Sequence, residues 1–390
     1  VRVALFSDTY LPQRNGAAVI LDRLVRYLTG HGHAVLVATA DPGSGPPPAL
    51  PAGARLVRVG GPKAPRYPDL TVALPFAPRV ARAVREFAPD VIHLATEYSL
   101  GLTGLWIAHR RGVPRLASFS TNLPGCFPYY GYGWASGLCW EYLRWFHARA
   151  GLTLCPSETN RQVLLSRGFS NVRVWARGVD TATFAPAPRS AGAASRSGFP
   201  DAVQLLYVGR LTPEKDLPLL FRAYRKVAAT RPPGVVHLVL TGDGSYSRRM
   251  QGEAPPGVTF TGHLEGSALS AAYSAADVFV FPSRVETLGN VVLEAMASGL
   301  PVIGVDQGGT LENLRHGVNG LLCPAGDVDR FAEAIGRLLD DHALRRTLGQ
   351  NARAWAEERT WDRSFEALLA AYRERMAAGA DGGGQPDGRG

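Results

Sequence analysis

Apolar and polar positions along this chain follow two rhythms. "VRVALF" at 1–6 and "HAVLVAT" at 33–39 are short apolar runs with the length and β-branched content of buried strands. Between them, after the loop "SDTYLPQRNGAA", Val19, Ile20, Leu24 and Leu28 recur at helical spacing over residues 17–30. Strand, loop, helix and strand in that order open a parallel α/β sheet. The alternation continues with "DVIHLAT" after a helical stretch at 76–87, "PRLASFS" after another at 101–111, "LTLCPS" at 152–157 and "NVRVWARG" at 171–178.

Residues 185–202, "APAPRSAGAASRSGFPDA", then interrupt the pattern with a linker composition poor in large apolar residues. After them the alternation restarts with "VQLLYVG", a helix through "LPLLFRAYRKVA", "VVHLVLTG", "VTFTG", "DVFVFPS", "PVIGV" and "GLLCPA". The expected organisation is a first domain over 1–184, the linker, and a second domain over 203–360. A last helix follows at 361–376, and then a disordered tail at 377–390 whose Gly-rich composition cannot bury a core. A length of 390 residues suits two such domains. Doubly wound sheets open their ligand crevices at the carboxyl ends of the strands, so a cleft where two crevices face is the expected place for chemistry.

Composition adds less. The formal net charge is +9, which suits phosphate-bearing small molecules, anionic lipid or nucleic acid without choosing among them. Nearly all the basic residues are arginine, with lysine only at 63, 215 and 226, which makes a lysine inside a motif conspicuous. Cys126, Cys139, Cys155 and Cys323 form no metal-ligand spacing and read as free thiols in a reducing compartment. No apolar run reaches membrane-spanning length and the N-terminus lacks a signal-peptide core, so a cytoplasmic location is expected.

Two clusters carry the candidate chemistry. In "YVGRLTPEKDL" a strand ends at Gly209, and Arg210 and Lys215 follow on a turn shaped by Pro213. A planar guanidinium fork and a point charge at a strand's carboxyl end suit a diphosphate; a solvated turn with Lys215 paired to Glu214 or Asp216 is the bland alternative. In "SRVETLGNVVLEAMASGLPVIG", Thr287, Leu288, Gly289 and Asn290 present backbone N–H groups at a helix N-terminus, an anion site, with Gly299 as the helix stop. Glu294, a turn further on in an apolar helix, can accept hydrogen bonds from ribose hydroxyls. Glu286 can reach a sugar beyond the phosphates. The alternative is that both carboxylates only complement the helix dipole. "DVD" at 327–329 looks superficially like a metal-holding motif, but its position makes Asp327 an N-cap. "TGDGSYS" at 241–247 lacks the third glycine of a dinucleotide loop.

With "GRLTPEKDL" and E-x₇-E in "ETLGNVVLEAMASGLPVI" both present, the chain resembles family 4 of the retaining glycosyltransferases over about residues 1–375. The first half looks most like its lipid-directed branch, such as phosphatidylinositol mannosyltransferases and sulfoquinovosyl-diacylglycerol synthases. The resemblance implies the α/β GT-B fold, two Rossmann-like doubly wound parallel-sheet domains facing a central cleft, with the last helix crossing back onto the first domain. It implies transfer of a hexosyl group, mannosyl or glucosyl, from a GDP- or UDP-sugar to a lipid or glycan hydroxyl, with no metal or other cofactor and no nucleic acid partner. Arg210, Lys215 and Glu286 would be catalytic. Gly16, Gly209, Thr287, Leu288, Gly289, Asn290 and Glu294 would bind the donor. Ser120, Thr121 and Asn122 would lie on the acceptor side, and there the chain departs from the pattern, with Ser120 where relatives carry a histidine that contacts the donor. Two rival readings stand beside this one: a sugar-nucleotide epimerase or hydrolase of the same fold, and a catalytically silent glycan- or membrane-binding relative. Arg79, Arg82 and Arg85 share one helix face opposite Val80, Val84 and Phe87; with the aromatic stretch 127–151 they suit peripheral contact with anionic lipid on the inner face of the plasma membrane, or equally a solvated face over an aromatic core.

Overall fold

The computed structural model describes residues 1–13, 16–43, 48–64, 67–187 and 202–381. By contacts the chain forms two compact units. One comprises Val1–Thr121, Gly137–Ala176 and the chain from Asp362; the other comprises Asn122–Ser136 and Arg177–Trp361. This division is not the linear one drawn from the sequence. Residues 122–136 and 177–184 pack with the second unit, because contacts rather than chain order decide membership. The linker expected at 185–202 falls largely outside the described residues, at 188–201.

In the first unit, β1 (Arg2–Ser7), β2 (Ala34–Ala40), β3 (Ala54–Val59), β6 (Val91–Leu94), β7 (Arg115–Ser118), β8 (Thr153–Cys155) and β9 (Val172–Val174) form a parallel sheet in the order β3-β2-β1-β6-β7-β8-β9. A separate antiparallel pair, β4 (Lys63–Ala64) and β5 (Tyr67–Thr71), lies between β3 and the next helix in the chain. Val3 on β1 is paired with Val35 on one side and Val91 on the other, and Val3 to Phe6 are wholly buried, as strands covered on both faces require. The strand β3, "ARLVRV", is absent from the sequence expectation because its arginines interrupt the apolar run, which an edge strand tolerates.

The helix Trp361–Asp381 outruns the expected 361–376. Ala377, Ala378 and Ala380 favour continued helix, and Gly379 lets the backbone approach Pro114, where a Cβ would lie 2.7 Å from the proline ring. The expected disorder at 377–381 is therefore replaced by helix; the rest of the tail, 382–390, lies outside the described residues. His93, fully buried on β6, ties this helix to the sheet, with Nδ1 2.7 Å from the Tyr372 hydroxyl and Nε2 2.7 Å from Ser118 Oγ.

In the second unit, β10 (Val203–Val208), β11 (Val236–Thr241), β12 (Val258–Gly262), β13 (Val278–Phe281), β14 (Val302–Val305) and β15 (Gly320–Cys323) form a parallel sheet in the order β12-β11-β10-β13-β14-β15. The order reverses between β10 and β13, whose register aligns Leu205 with Val278 and Leu206 with Phe279. Tyr207, Phe279 and Phe281 stack behind this point as solid core, with ring centroids about 6 Å apart, as aromatic packing favours. A strand-order reversal leaves a crevice at the carboxyl ends of its two strands. The chain leaves those ends into Gly209–Lys215 after β10 and into Pro282–Asn290 after β13.

Candidate functional site

Both sequence clusters thus sit at the switch point of one sheet. After β10, Gly209 adopts φ of +155°, and the chain passes through a single 3₁₀ turn, Pro213–Lys215. Lys215 turns inward: its ammonium contacts Glu286 Oε1 after β13, and the two side chains are only 11% and 15% exposed. Neither sequence neighbour is its partner. Glu214 instead takes the Arg210 guanidinium at 3.4 Å, and Asp216 takes Arg284 through Nη2 at 2.7 Å and Nε at 3.0 Å. Three cation–carboxylate pairs therefore alternate through the two loops.

Glu286 also accepts from the buried Ser283 hydroxyl at 3.1 Å, on the same oxygen that meets Lys215. Among the described residues Oε2 has no hydrogen-bond partner, so one carboxylate oxygen is held and the other is available to a ligand hydroxyl. The loop is supported from behind by the 3₁₀ turn Gly308–Glu312. Gly309 donates to Glu286 O at 2.8 Å, and a Cβ there would lie 2.2 Å from Thr287 O, so only glycine fits. Sequence reasoning missed this support, although the Gly308–Gly309 pair after β14 marks it.

The helix Asn290–Ala297 starts where expected, with Gly289 as its N-cap at φ +75°, and gives way to Gly299 at φ +78°. The Leu288 side chain is buried in the core, so this residue can offer a ligand only its backbone; Thr287 and Asn290 are half-buried. One turn on, half-buried Glu294 accepts from the Tyr273 hydroxyl at 2.9 Å through Oε2. Burial and that carboxylate push the Tyr273 phenol well above its ordinary pKa, so it stays a hydrogen-bond donor at any working pH. Glu294 is thus oriented by a buried neighbour rather than solvated.

A third segment joins them. In Asn122–Ser136, Asn122 Oδ1 accepts from Gly125 N at 3.1 Å and caps the turn Leu123–Cys126; the 3₁₀ turn Phe127–Tyr130 follows. Burial pushes the Cys126 thiol up to about 11, and the charges of Glu214, Lys215, Arg210 and Glu286 all act on it. That thiol therefore lies within electrostatic range of both loops. Nothing in the sequence marked this proximity. Ser120 and Thr121 end the first unit's share of the acceptor-side motif after β7, half-buried and exposed respectively. Gly16 begins the first helix of that unit, exposed, with residues 14–15 before it outside the described residues.

Asp327 is an N-cap, accepting from Arg330 N at 2.9 Å, and none of the four cysteines is in a disulfide. Among the described residues no group of three or more His, Cys, Asp or Glu is placed to hold a metal, and no helix is long and apolar enough to cross a membrane.

Comparison with known proteins assigns the fold to a class. Residues 14–183 match the model of glycosyltransferase family 4, and residues 202–341 match that of glycosyl transferases group 1. A GDP-mannose-dependent alpha-mannosyltransferase of Mycobacterium tuberculosis is 36% identical over 95% of this chain and 96% of its own length; one of Mycolicibacterium smegmatis is 38% identical over 95% and 97%. A sulfoquinovosyl transferase of Arabidopsis thaliana is 33% identical over 92% of this chain and 71% of its own. Among solved structures, sucrose-phosphate synthase from Thermosynechococcus elongatus superposes with a TM-score of 0.79 at 23% identity, covering 97% of this chain and 99% of that one, which bears on the fold alone. The fold is GT-B, and the chain belongs to glycosyltransferase family 4. It is a hexosyltransferase.

Proposed function

We propose that this protein moves a mannosyl or glucosyl group from a GDP- or UDP-sugar to a hydroxyl of a lipid or glycan, with retention of anomeric configuration and without a metal. The observation that carries the site is the convergence of Lys215, Glu286 and the helix N-terminus at Gly289 on the switch point between β10 and β13. The two mannosyltransferase relatives, similar over nearly the whole chain, favour a GDP-mannose donor.

The pyrophosphate would lie against the amides beside Gly289 with Arg210 and Lys215 as its cations, and Glu294 would grip the ribose. Gly16 and Gly209 would let backbone approach the phosphates. As the bond between the sugar C1 and the β-phosphate oxygen breaks, charge grows on that phosphate. One well-placed donor is worth about 3–4 kcal/mol there, which is why two cations and a helix N-terminus make a metal unnecessary. Lys215 would exchange part of its hold on Glu286 for the phosphate, while Glu286 orients the sugar through its second oxygen. The acceptor oxygen bonds C1 on the face the phosphate leaves, and its proton passes to the departing phosphate oxygen. Ser120, Thr121 and Asn122 are the proposed acceptor-side residues.

A lipid acceptor is favoured by the surface of the first unit. Phe76, an exposed aromatic held at φ +57°, meets Trp106 edge-on at 5.5 Å, with exposed Leu74 nearby in sequence and Arg110 over the Trp106 ring. Arg79, Arg82 and Arg85 follow on the exposed face of the next helix. Aromatic side chains flanked by arginines suit an anionic bilayer surface. The test is turnover of GDP-mannose, UDP-glucose and ADP-glucose with diacylglycerol and phosphatidylinositol, with EDTA present and products resolved by anomeric configuration. Glycolipid formed from a GDP- or UDP-sugar supports the reading. Free sugar without glycolipid would favour a hydrolase instead.

A further inference from the structure

Glu214 is the most deeply buried carboxylate of the site, with a side chain only 2% exposed, and no role in binding follows from its neighbours in sequence. Its Oε1 accepts from Thr212 Oγ1 at 2.8 Å and faces Arg210 Nη2 at 3.4 Å. Its Oε2 accepts from the Tyr130 hydroxyl at 3.0 Å, across 84 residues of sequence. Arg210, by contrast, is 53% exposed. An ion pair with a half-exposed arginine contributes at most about 1 kcal/mol, whereas burying a carboxylate costs several. Neutralising Arg210 therefore does not account for the arrangement. Two hydroxyl donors hold the Glu214 carboxylate fixed, and the fixed carboxylate in turn faces the guanidinium.

Tyr130 reaches Glu214 from a preshaped turn. Pro128 opens the 3₁₀ segment Phe127–Tyr130, and Gly131 at φ +78° closes it, its N–H bonded to the carbonyls of Phe127 and Pro128. The adjoining side chains line the same charges. Tyr129 has its phenol pKa raised by burial and feels Arg284 and Asp216, while the Cys126 thiol, raised by burial, feels Glu214, Lys215, Arg210 and Glu286. The turn is a wall of the cation cluster, and Tyr130 is its polar contact.

We propose that Glu214 is a positioning residue for diphosphate binding, that it sets the direction of the Arg210 guanidinium, and that Tyr130, supplied by the 122–136 segment, completes the hydrogen bonding that lets it do so. This inference rests on the reading of Arg210 as a phosphate ligand. In a nucleotide-free chain Glu214 Oε1 meets the guanidinium at Nη2. When Tyr130 withdraws, Oε2 loses its donor and the carboxylate is drawn further onto Arg210. The segment's docking and diphosphate affinity are thus coupled.

The experiment is calorimetric binding of GDP, UDP and ADP, and of the matching monophosphates, to the full chain and its variants. The quantity read is the preference for diphosphate over monophosphate, which a general loss of fold does not change selectively. Glu214→Gln is expected to reduce that preference about tenfold and Tyr130→Phe about threefold, from the worth of a charged and a neutral hydrogen bond respectively. Glu214→Gln combined with Arg210→Ala is expected to be no worse than Arg210→Ala alone, because the first residue acts through the second. If Arg210→Ala loses the preference while Glu214→Gln and Tyr130→Phe keep it, the inference is wrong and the diphosphate reading stands. If none of the three diphosphates binds the native chain, or Arg210→Ala keeps the native preference, both fall together. Tyr130→Phe, which removes one hydroxyl from a half-buried ring, keeps the test open should Glu214→Gln fold poorly.

Discussion

Replacing Lys215 by Met, alone and together with Glu286→Gln, separates the two tasks assigned to this lysine. Its ammonium and the Glu286 carboxylate are in contact and only 11% and 15% exposed. Unit charges about 4 Å apart attract by about 4 kcal/mol at an effective dielectric near 20, and stranding one member of a nearly buried pair costs about 3 kcal/mol. In Lys215→Met, Glu286 keeps the Ser283 hydroxyl as its described donor. The variant should therefore melt roughly 6–12 °C below the native chain, at about 2–4 °C per kcal/mol for a domain of this size. In Lys215→Met with Glu286→Gln a neutral pair of similar volume fills the space, and melting should return to within about 1 kcal/mol of native. Activity should not return with it. Loss of the cation removes about 3–4 kcal/mol of stabilisation from the departing phosphate, a fall of about 10²–10³ in kcat in both variants. The assays are differential scanning fluorimetry and turnover of the preferred nucleotide sugar. Near-native turnover by Lys215→Met with every sugar nucleotide tried would refute the phosphate role. A double variant as unstable as the sum of the two single ones would refute the pairing.

Glu294→Gln leaves Tyr273 bonded to a neutral amide and weakens the grip on the ribose; donor KM should rise about tenfold with kcat changed less, the split expected of a binding contact. Equal loss in kcat and kcat/KM would place Glu294 in the transition state instead. The Cys126 thiol, raised to about 11, should alkylate with iodoacetamide about twentyfold slower at pH 8 than an unperturbed cysteine, because its smaller thiolate fraction is partly offset by greater nucleophilicity. Its rate should climb about tenfold per pH unit up to that value, and a plateau near pH 8.5 would contradict the burial that raises it. Arg79→Glu with Arg82→Glu, or Phe76→Ser, should abolish cosedimentation with vesicles containing phosphatidylglycerol while leaving nucleotide binding unchanged. Undiminished cosedimentation would remove the lipid-surface reading.

Much of this molecule is written in local pattern. The strands that flank the site were legible because parallel strands buried on both faces must be continuous apolar runs, and "VQLLYVG" and "DVFVFPS" are. The helix at Asn290 was legible because Gly289 and Gly299 punctuate it. Legibility failed where a local signal was diluted. The strand β3 carries arginines because it lies at an edge, and the last helix continues through a glycine because Pro114 packs there.

By itself the sequence determined two doubly wound domains, the cations and carboxylates at strand ends of the second, and their likeness to family 4. Those features depend on periodicity and on residue type next to a turn, both short-range. Only the tertiary structure decided which charges meet. Lys215 had Glu214 and Asp216 as neighbours and took Glu286, 71 residues away; Glu214 was left for Arg210 and Tyr130; and the 122–136 segment joined the second unit. A 3₁₀ turn points successive side chains in different directions, so adjacency in the chain does not bring charges together. Desolvation then forces each buried charge onto whatever partner the fold places within reach.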